Sequence, residues 1–93
     1  MKFGKRGNVV VTRGICNNMA DDIIFSKEVT NSLKRHFCCD WGDLTESDKQ
    51  LNNDAIKYNN NRIFSAYNTS KGRIYVITEY DRSCTTVLFS REY

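Results

Sequence analysis

Arg62-Ile63-Phe64-Ser65-Ala66-Tyr67-Asn68-Thr69-Ser70-Lys71-Gly72-Arg73-Ile74-Tyr75-Val76-Ile77-Thr78-Glu79-Tyr80-Asp81-Arg82-Ser83-Cys84-Thr85-Thr86-Val87-Leu88-Phe89-Ser90-Arg91-Glu92-Tyr93 is the stretch in which apolar and polar residues alternate over three successive runs joined by turn signals. The pattern predicts a three-stranded antiparallel meander. Its first run is Arg62 to Tyr67, and Asn68 to Gly72 supplies residues that tolerate tight backbone geometry. The second run, Arg73 to Tyr80, puts Ile74, Val76, Thr78 and Tyr80 on one side and Tyr75, Ile77 and Glu79 on the other. After Asp81-Arg82-Ser83 the third run, Cys84 to Phe89, is dense in β-branched and aromatic residues. Both faces are apolar enough that one is expected under helices, with tyrosines and threonines near solvent on the other.

Working outward, Asn8 to Thr12 is strongly β-prone and predicts a fourth strand joining the meander, ended by Gly14 with Asn17-Asn18. Between Asp21 and about Cys39, Phe25, Val29, Leu33 and Phe37 recur every fourth position with Ile24 and His36 beside them, one face of an amphipathic helix. Asn18 or Asp21 caps its start, and Lys34, Arg35 and His36 lie where the helix dipole favours cations. A second helix opens at Thr45-Glu46-Ser47-Asp48, a capping-box pattern, with Leu51, Ala55 and Tyr58 as its apolar face and Asn52 among its polar residues. Asn59-Asn60-Asn61 stops it, since asparagine accepts the left-handed conformation. The expected fold is α+β: a four-stranded antiparallel sheet, elements in the order β-α-α-β-β-β, covered on one face by two helices.

The 93 residues are expected to form a single domain, residues 1–93, with 1–7 as a basic lead mobile at its tip. A composition of 40% hydrophobic and 27% charged residues is that of a globular chain, and a net charge of +3 with interleaved acids and bases gives little support for a long nucleic-acid-binding stripe. There is no apolar run near the roughly 20 residues a bilayer span needs and no signal-peptide core, which makes cytoplasmic the expected compartment and excludes a membrane partner.

Catalytic signals are sparse. The chain has no glycine-rich phosphate loop, no Gly-x-Ser-x-Gly elbow and no His-Glu-x-x-His helix. His36-Phe37-Cys38-Cys39, with Cys16 and Cys84 apart, does not match zinc-site spacing, so the cysteines read as plain thiols with no metal or cofactor expected. His36 reads as a packing residue at a helix end rather than as a base working with Asp40 or Asp43. In Asp40-Trp41-Gly42-Asp43-Leu44 the glycine marks a sharp turn and the indole is expected to dock onto the sheet or the helix ends. Glu79, Asp81 and Arg82 at the last strand corner read as turn residues, with an Asp81/Arg82 pair. Tyr67, Tyr75 and Tyr80 with Arg62 and Arg73 match the composition of single-stranded RNA platforms, provided the rings face water.

Three stretches together resemble a family of small uncharacterised proteins of about this length carried by bacterial plasmids, prophages and other mobile elements. They are Val11-Thr12-Arg13-Gly14; His36 with Asp40-Trp41-Gly42-Asp43-Leu44 and Asp48-Lys49; and Arg62-Ile63 through Ser65-Ala66-Tyr67 to Ile77-Thr78-Glu79, Asp81-Arg82-Ser83, Thr85-Thr86, Leu88-Phe89 and Glu92-Tyr93. The chain departs from that pattern at Cys38, Cys39, Cys84 and Ser90. The resemblance implies a counter-defence binding protein, in its most specific form an anti-CRISPR inhibitor that binds a CRISPR effector in a bacterial host cell without catalysis. Aromatic and arginine side chains anchor interfaces most often. Trp41, Asp43, Tyr67, Tyr75, Asp81 and Arg82 are therefore the expected partner-binding residues. The alternative is a nucleic-acid-binding regulator of plasmid or phage maintenance using Lys2, Lys5, Arg6, Arg13, Arg62 and Arg73. Either a monomer or a homodimer through an unpaired edge strand fits the pattern.

Overall fold

The computed structural model describes residues 7–93. The part of the basic lead that carries Lys2, Lys5 and Arg6 lies outside the described residues. In chain order the elements are strand β1 (Asn8–Val11), helices α1 (Arg13–Asp21), α2 (Ile23–Phe37) and α3 (Glu46–Lys57), strands β2 (Ile63–Thr69), β3 (Gly72–Thr78) and β4 (Cys84–Phe89), and a 3-10 turn at Ser90–Glu92. The architecture is α+β as expected, with two corrections.

First, the sheet is mixed. Its order is β1-β4-β3-β2; the meander is antiparallel, but β1 runs parallel to β4. The chain leaves β1 into the helices, reaches the far edge at β2, and comes back strand by strand, so β4 arrives beside β1 in the same direction. That direction depends on the crossover, to which the local pattern of β1 is blind.

Second, there are three helices among the described residues. Gly14, Asn17 and Asn18 lie within α1 instead of ending a strand. The Thr12 hydroxyl caps α1 by accepting from the Ile15 amide at 3.3 Å, and Ile15 is buried with Met19 half-buried one turn on. Gly14 lies close to the C-terminal turn: a Cβ there would come 2.8 Å from the end of the Glu92 side chain, whose carboxylate accepts from Thr12 and from the Phe89 amide. Asp22, rather than Asn18 or Asp21, separates α1 from α2 and caps the latter through the amides of Ile24 and Phe25.

Helices α2 and α3 end alike. In each, the amide after the left-handed residue reaches the carbonyl five positions back, Asp40 to Arg35 (2.8 Å) and Asn60 to Ala55 (3.0 Å). The left-handed residues are Cys39 (φ 63°) and Asn59 (φ 51°). The stop at Asn59 is the one the sequence predicts.

The inner face of the sheet presents Ile63, Ser65 and Tyr67 from β2, Ile74, Val76 and Thr78 from β3, and Thr85, Val87 and Phe89 from β4, all buried. Ile15 of α1 and Phe25 and Val29 of α2 close the main core over it, with the Phe25 and Phe89 rings stacked at 5.6 Å. Tyr67 therefore faces the core instead of solvent. A smaller cluster of Trp41, Ala55 and Ile63 joins α3 to the sheet.

Helix α3 lies along the outer edge of β2, which changes its inward face. Asn52 and Ala55 are buried, whereas Leu51 and Tyr58, expected on the apolar face, stand in solvent. A strand edge asks for hydrogen bonds. The Asn52 amide donates to the Phe64 carbonyl (2.6 Å) and accepts from the Phe64 amide (3.1 Å), as a neighbouring strand would. Next along, the Ala66 amide donates to the Trp41 carbonyl (3.3 Å) and the Asp43 amide to the Ala66 carbonyl (2.8 Å). Gly42, at φ 74°, makes this contact possible: a Cβ there would sit 2.0 Å from the Ala66 oxygen and 2.7 Å from the Tyr67 ring. Gly42→Ala is expected to destabilise the protein by about 3 kcal/mol in urea unfolding, because backbone strain and a clash with backbone act together.

Candidate functional site

His36, buried by its place on the last turn of α2, meets two hydroxyls of the inner sheet face, one of which is bonded to a third. Its Nδ1 contacts Ser65 Oγ at 2.5 Å and its Nε2 contacts Thr78 Oγ1 at 2.9 Å, and Thr78 bonds Thr85 at 2.7 Å. Burial pushes its pKa down to about 3, so the imidazole is neutral. No solvent reaches it, and Asp40 and Asp43 do not join it: Asp40 takes a bidentate pair from Arg35 (2.7 and 3.1 Å), and Asp43 is held by Arg73 (2.6 Å) with Asn68 (3.2 Å). The bond from Arg35 keeps the Asp40 carboxyl below its usual range, as that from Arg73 does for Asp43. Among the described residues no three His, Cys, Asp or Glu side chains gather into a metal-holding group, and no helix is long and apolar enough to cross a membrane.

Three of the expected partner-binding residues serve the interior. Trp41 is 4% exposed, packs edge-on to His36 with ring centres 5.8 Å apart, and donates its indole N–H to Asn53 of α3 (3.0 Å). Tyr67 donates its hydroxyl to the Asp40 carbonyl (2.6 Å), with the Arg35 guanidinium over its ring; burial pushes its pKa up to about 12. Arg82, 8% exposed and left-handed at φ 63°, does not pair with Asp81. Its guanidinium donates to the carbonyls of Asn61 (2.7 Å), Tyr80 (3.1 Å), Glu79 (3.3 Å), Ala55 (3.0 Å) and Asn60 (3.4 Å). A cation thus closes the negative end of α3 and locks the β3–β4 corner onto it. Asp81 itself holds the turn by accepting from the Ser83 amide and hydroxyl.

A second set of aromatic side chains gathers on the outer sheet face. Phe64 and Tyr75, cross-strand diagonal neighbours, have ring centres 4.6 Å apart, and Tyr93 stands edge-on to both at 6.1 and 5.7 Å. Arg62 lies over Phe64 and Tyr93 (5.8 and 5.7 Å), and Arg73, fixed by Asp43, lies over Tyr75 (5.7 Å). Beside this cluster a groove of about 460 Å³ runs between α3 and the sheet, with Leu51 and Asp48 on one wall and Arg62, Phe64 and Tyr93 on the other. Of the expected set, Tyr75 and Asp43 belong to this face. Arg62 was expected as a phosphate contact and beside the tyrosines of a base-stacking platform, and the places of Phe64 and Tyr93 depend on the register and on the 3-10 turn. Their aromatic character next to Arg62 was the signal available.

In comparisons with family models, curated proteins and solved structures, nothing matches this chain.

Two tests follow from the buried groups. Folded His36 stays neutral down to about 3, while in the unfolded chain it takes up a proton near 6.5, so between those values the unfolded state binds more protons and stability falls as pH falls. From pH 7.5 to 5.5, above the carboxylate range, urea unfolding is expected to lose about 1.4 kcal/mol, and the imidazole NMR signals of the folded protein should not titrate. Replacement of Arg82 by Met leaves carbonyls at the end of α3 unanswered and is expected to cost about 2–3 kcal/mol, with Arg82→Lys recovering only part because it lacks the fork.

Proposed function

We propose that this chain is a counter-defence binding protein of a mobile genetic element, acting stoichiometrically, and in its most specific form an anti-CRISPR inhibitor of a CRISPR effector. The observation that carries a binding role is the half-exposed aromatic cluster of Phe64, Tyr75 and Tyr93 with Arg62 and Arg73 over its rings and a groove beside it, while the chain's histidine, its tryptophan and Arg82 are committed to the interior. Aromatic and arginine side chains anchor protein interfaces more than other types. The family resemblance in the sequence supplies the counter-defence part of the reading.

Affinity purification of the tagged chain from a bacterial host with an active CRISPR system, with nuclease treatment and mass spectrometry, is expected to recover an effector complex, and interference in that host is expected to fall. Arg62→Ala with Tyr93→Ala should weaken that recovery at least tenfold, about 1.4 kcal/mol or more. Empty pull-downs together with undiminished interference would refute the inhibitor reading.

Arg62 and Arg73 lying over aromatic rings favour a second reading, a nucleic-acid-binding regulator that stacks bases on the same face. Its signature is binding to single-stranded DNA or RNA that weakens steeply with salt, since phosphate contacts release counterions. Nuclease treatment abolishing every captured partner would favour it.

A further inference from the structure

The chain treats the two edges of its sheet differently. On β2 the outward groups of Phe64 are taken by Asn52, and those of Ala66 by Trp41 and Asp43. On β1, the Asn8 amide donates to the Ser83 carbonyl (3.0 Å) and the Thr12 amide to the Val87 carbonyl (3.1 Å), in the parallel register Asn8↔Cys84 to Val11↔Val87. Backbone groups alternate along a strand, so Asn8, Val10 and Thr12 bond β4 while the N–H and C=O of Val9 and Val11 point away from the sheet. Among the described residues no strand lies beyond β1. Asn8–Val11 carries none of the usual edge guards, neither proline, lysine nor bulge, and its Val9 and Val10 are 46% and 45% exposed.

We propose that β1 pairs antiparallel with β1 of a second copy of this chain, about a two-fold axis at Val10, joining the two sheets into one. The free groups are self-complementary in that arrangement. Val9 of one copy faces Val11 of the other as a hydrogen-bonded pair exchanging both bonds, and the symmetry repeats the pair, giving four backbone bonds. Val10 meets its symmetry mate on the outer face, and Val9 lies beside the other copy's Val11 on the inner face, so the two exposed valines are the ones covered. A longer extended partner gains little more. Gly7 turns the chain at φ 67° against the backbone of Arg82 and Ser83, and Thr12 already caps α1, so Val9 and Val11 are the whole bonding length of this edge.

The full chain, followed by sedimentation equilibrium from low micromolar to near-millimolar concentration, is expected to approach twice its 10.8 kDa mass. Val9→Pro removes an amide that β4 does not use, and proline is tolerated on such an edge position. That variant should stay monomeric with an unchanged thermal midpoint. Val10→Cys places two thiols across the axis as a non-hydrogen-bonded pair about 4.5 Å apart at Cα, within disulfide reach. On oxidation it should give a covalent dimer whose peptide map links position 10 to position 10. A wild-type chain monomeric throughout, a Val9→Pro chain that associates like wild type, or oxidised dimers linked only through Cys16 or Cys38 would overturn the proposal.

Discussion

The outer edge of β2 must find hydrogen-bond partners, and the middle of the molecule is arranged by that need. An edge amide shut away from water without a partner costs about 1–3 kcal/mol, so Phe64 and Ala66 cannot simply be covered by hydrocarbon. Asn52 answers one residue and the Trp41-Gly42-Asp43 backbone the other. Everything that delivers those groups follows: α2 ends in a left-handed Cys39 so the chain can reverse, Gly42 lets it press against β2, and Thr45 starts α3 where Asn52 comes opposite Phe64. The indole of Trp41 and the methyl of Ala55 then fill the space between helix, loop and Ile63.

Polar side chains in the interior do the same kind of work. The row Ser65, His36, Thr78, Thr85 binds the end of α2 to three neighbouring strands, and each of its members is satisfied only if the register is right. Such a network specifies one alignment of helix on sheet more sharply than an apolar patch would. Arg82 does so for α3 and the last strand corner. With these groups committed inside, the outer face keeps Arg62 and Arg73 over its rings.

Much of the fold was legible in local sequence. The alternation from Ile63 to Phe89, the Thr45 cap and the asparagine stop each rest on interactions within a few residues, and each is found where the sequence puts it. Helix α1 was not legible: the turn character of Gly14, Asn17 and Asn18 pointed to the end of a strand, and it outweighed the Ile15 and Met19 spacing that the helix buries. Within the helix Gly14 neighbours the Glu92 carboxylate, nearly the whole chain away in sequence. The direction of β1 and the burial of Asn52 and Arg82 were not legible, because each is decided by groups the fold brings from elsewhere. The same holds for the surface. Residue type pointed to Trp41, Tyr67 and Arg82 as anchors, yet the ring cluster of the outer face is that of Phe64, Tyr75 and Tyr93, selected by the pleat and by the turn at Ser90–Glu92.

The position of the lone indole gives the molecule an internal optical gauge. Trp41 touches the imidazole at the end of α2, the side-chain amide of Asn53 on α3 and the backbone of β2 at once. Its emission therefore reports the docking of three elements through a single chromophore, and a lifting of α3 from the strand edge would redden it while the Phe25–Phe89 core, over the centre strands on the same face, still held. Local opening and global unfolding of this small chain are thus separable by colour and by circular dichroism without a label.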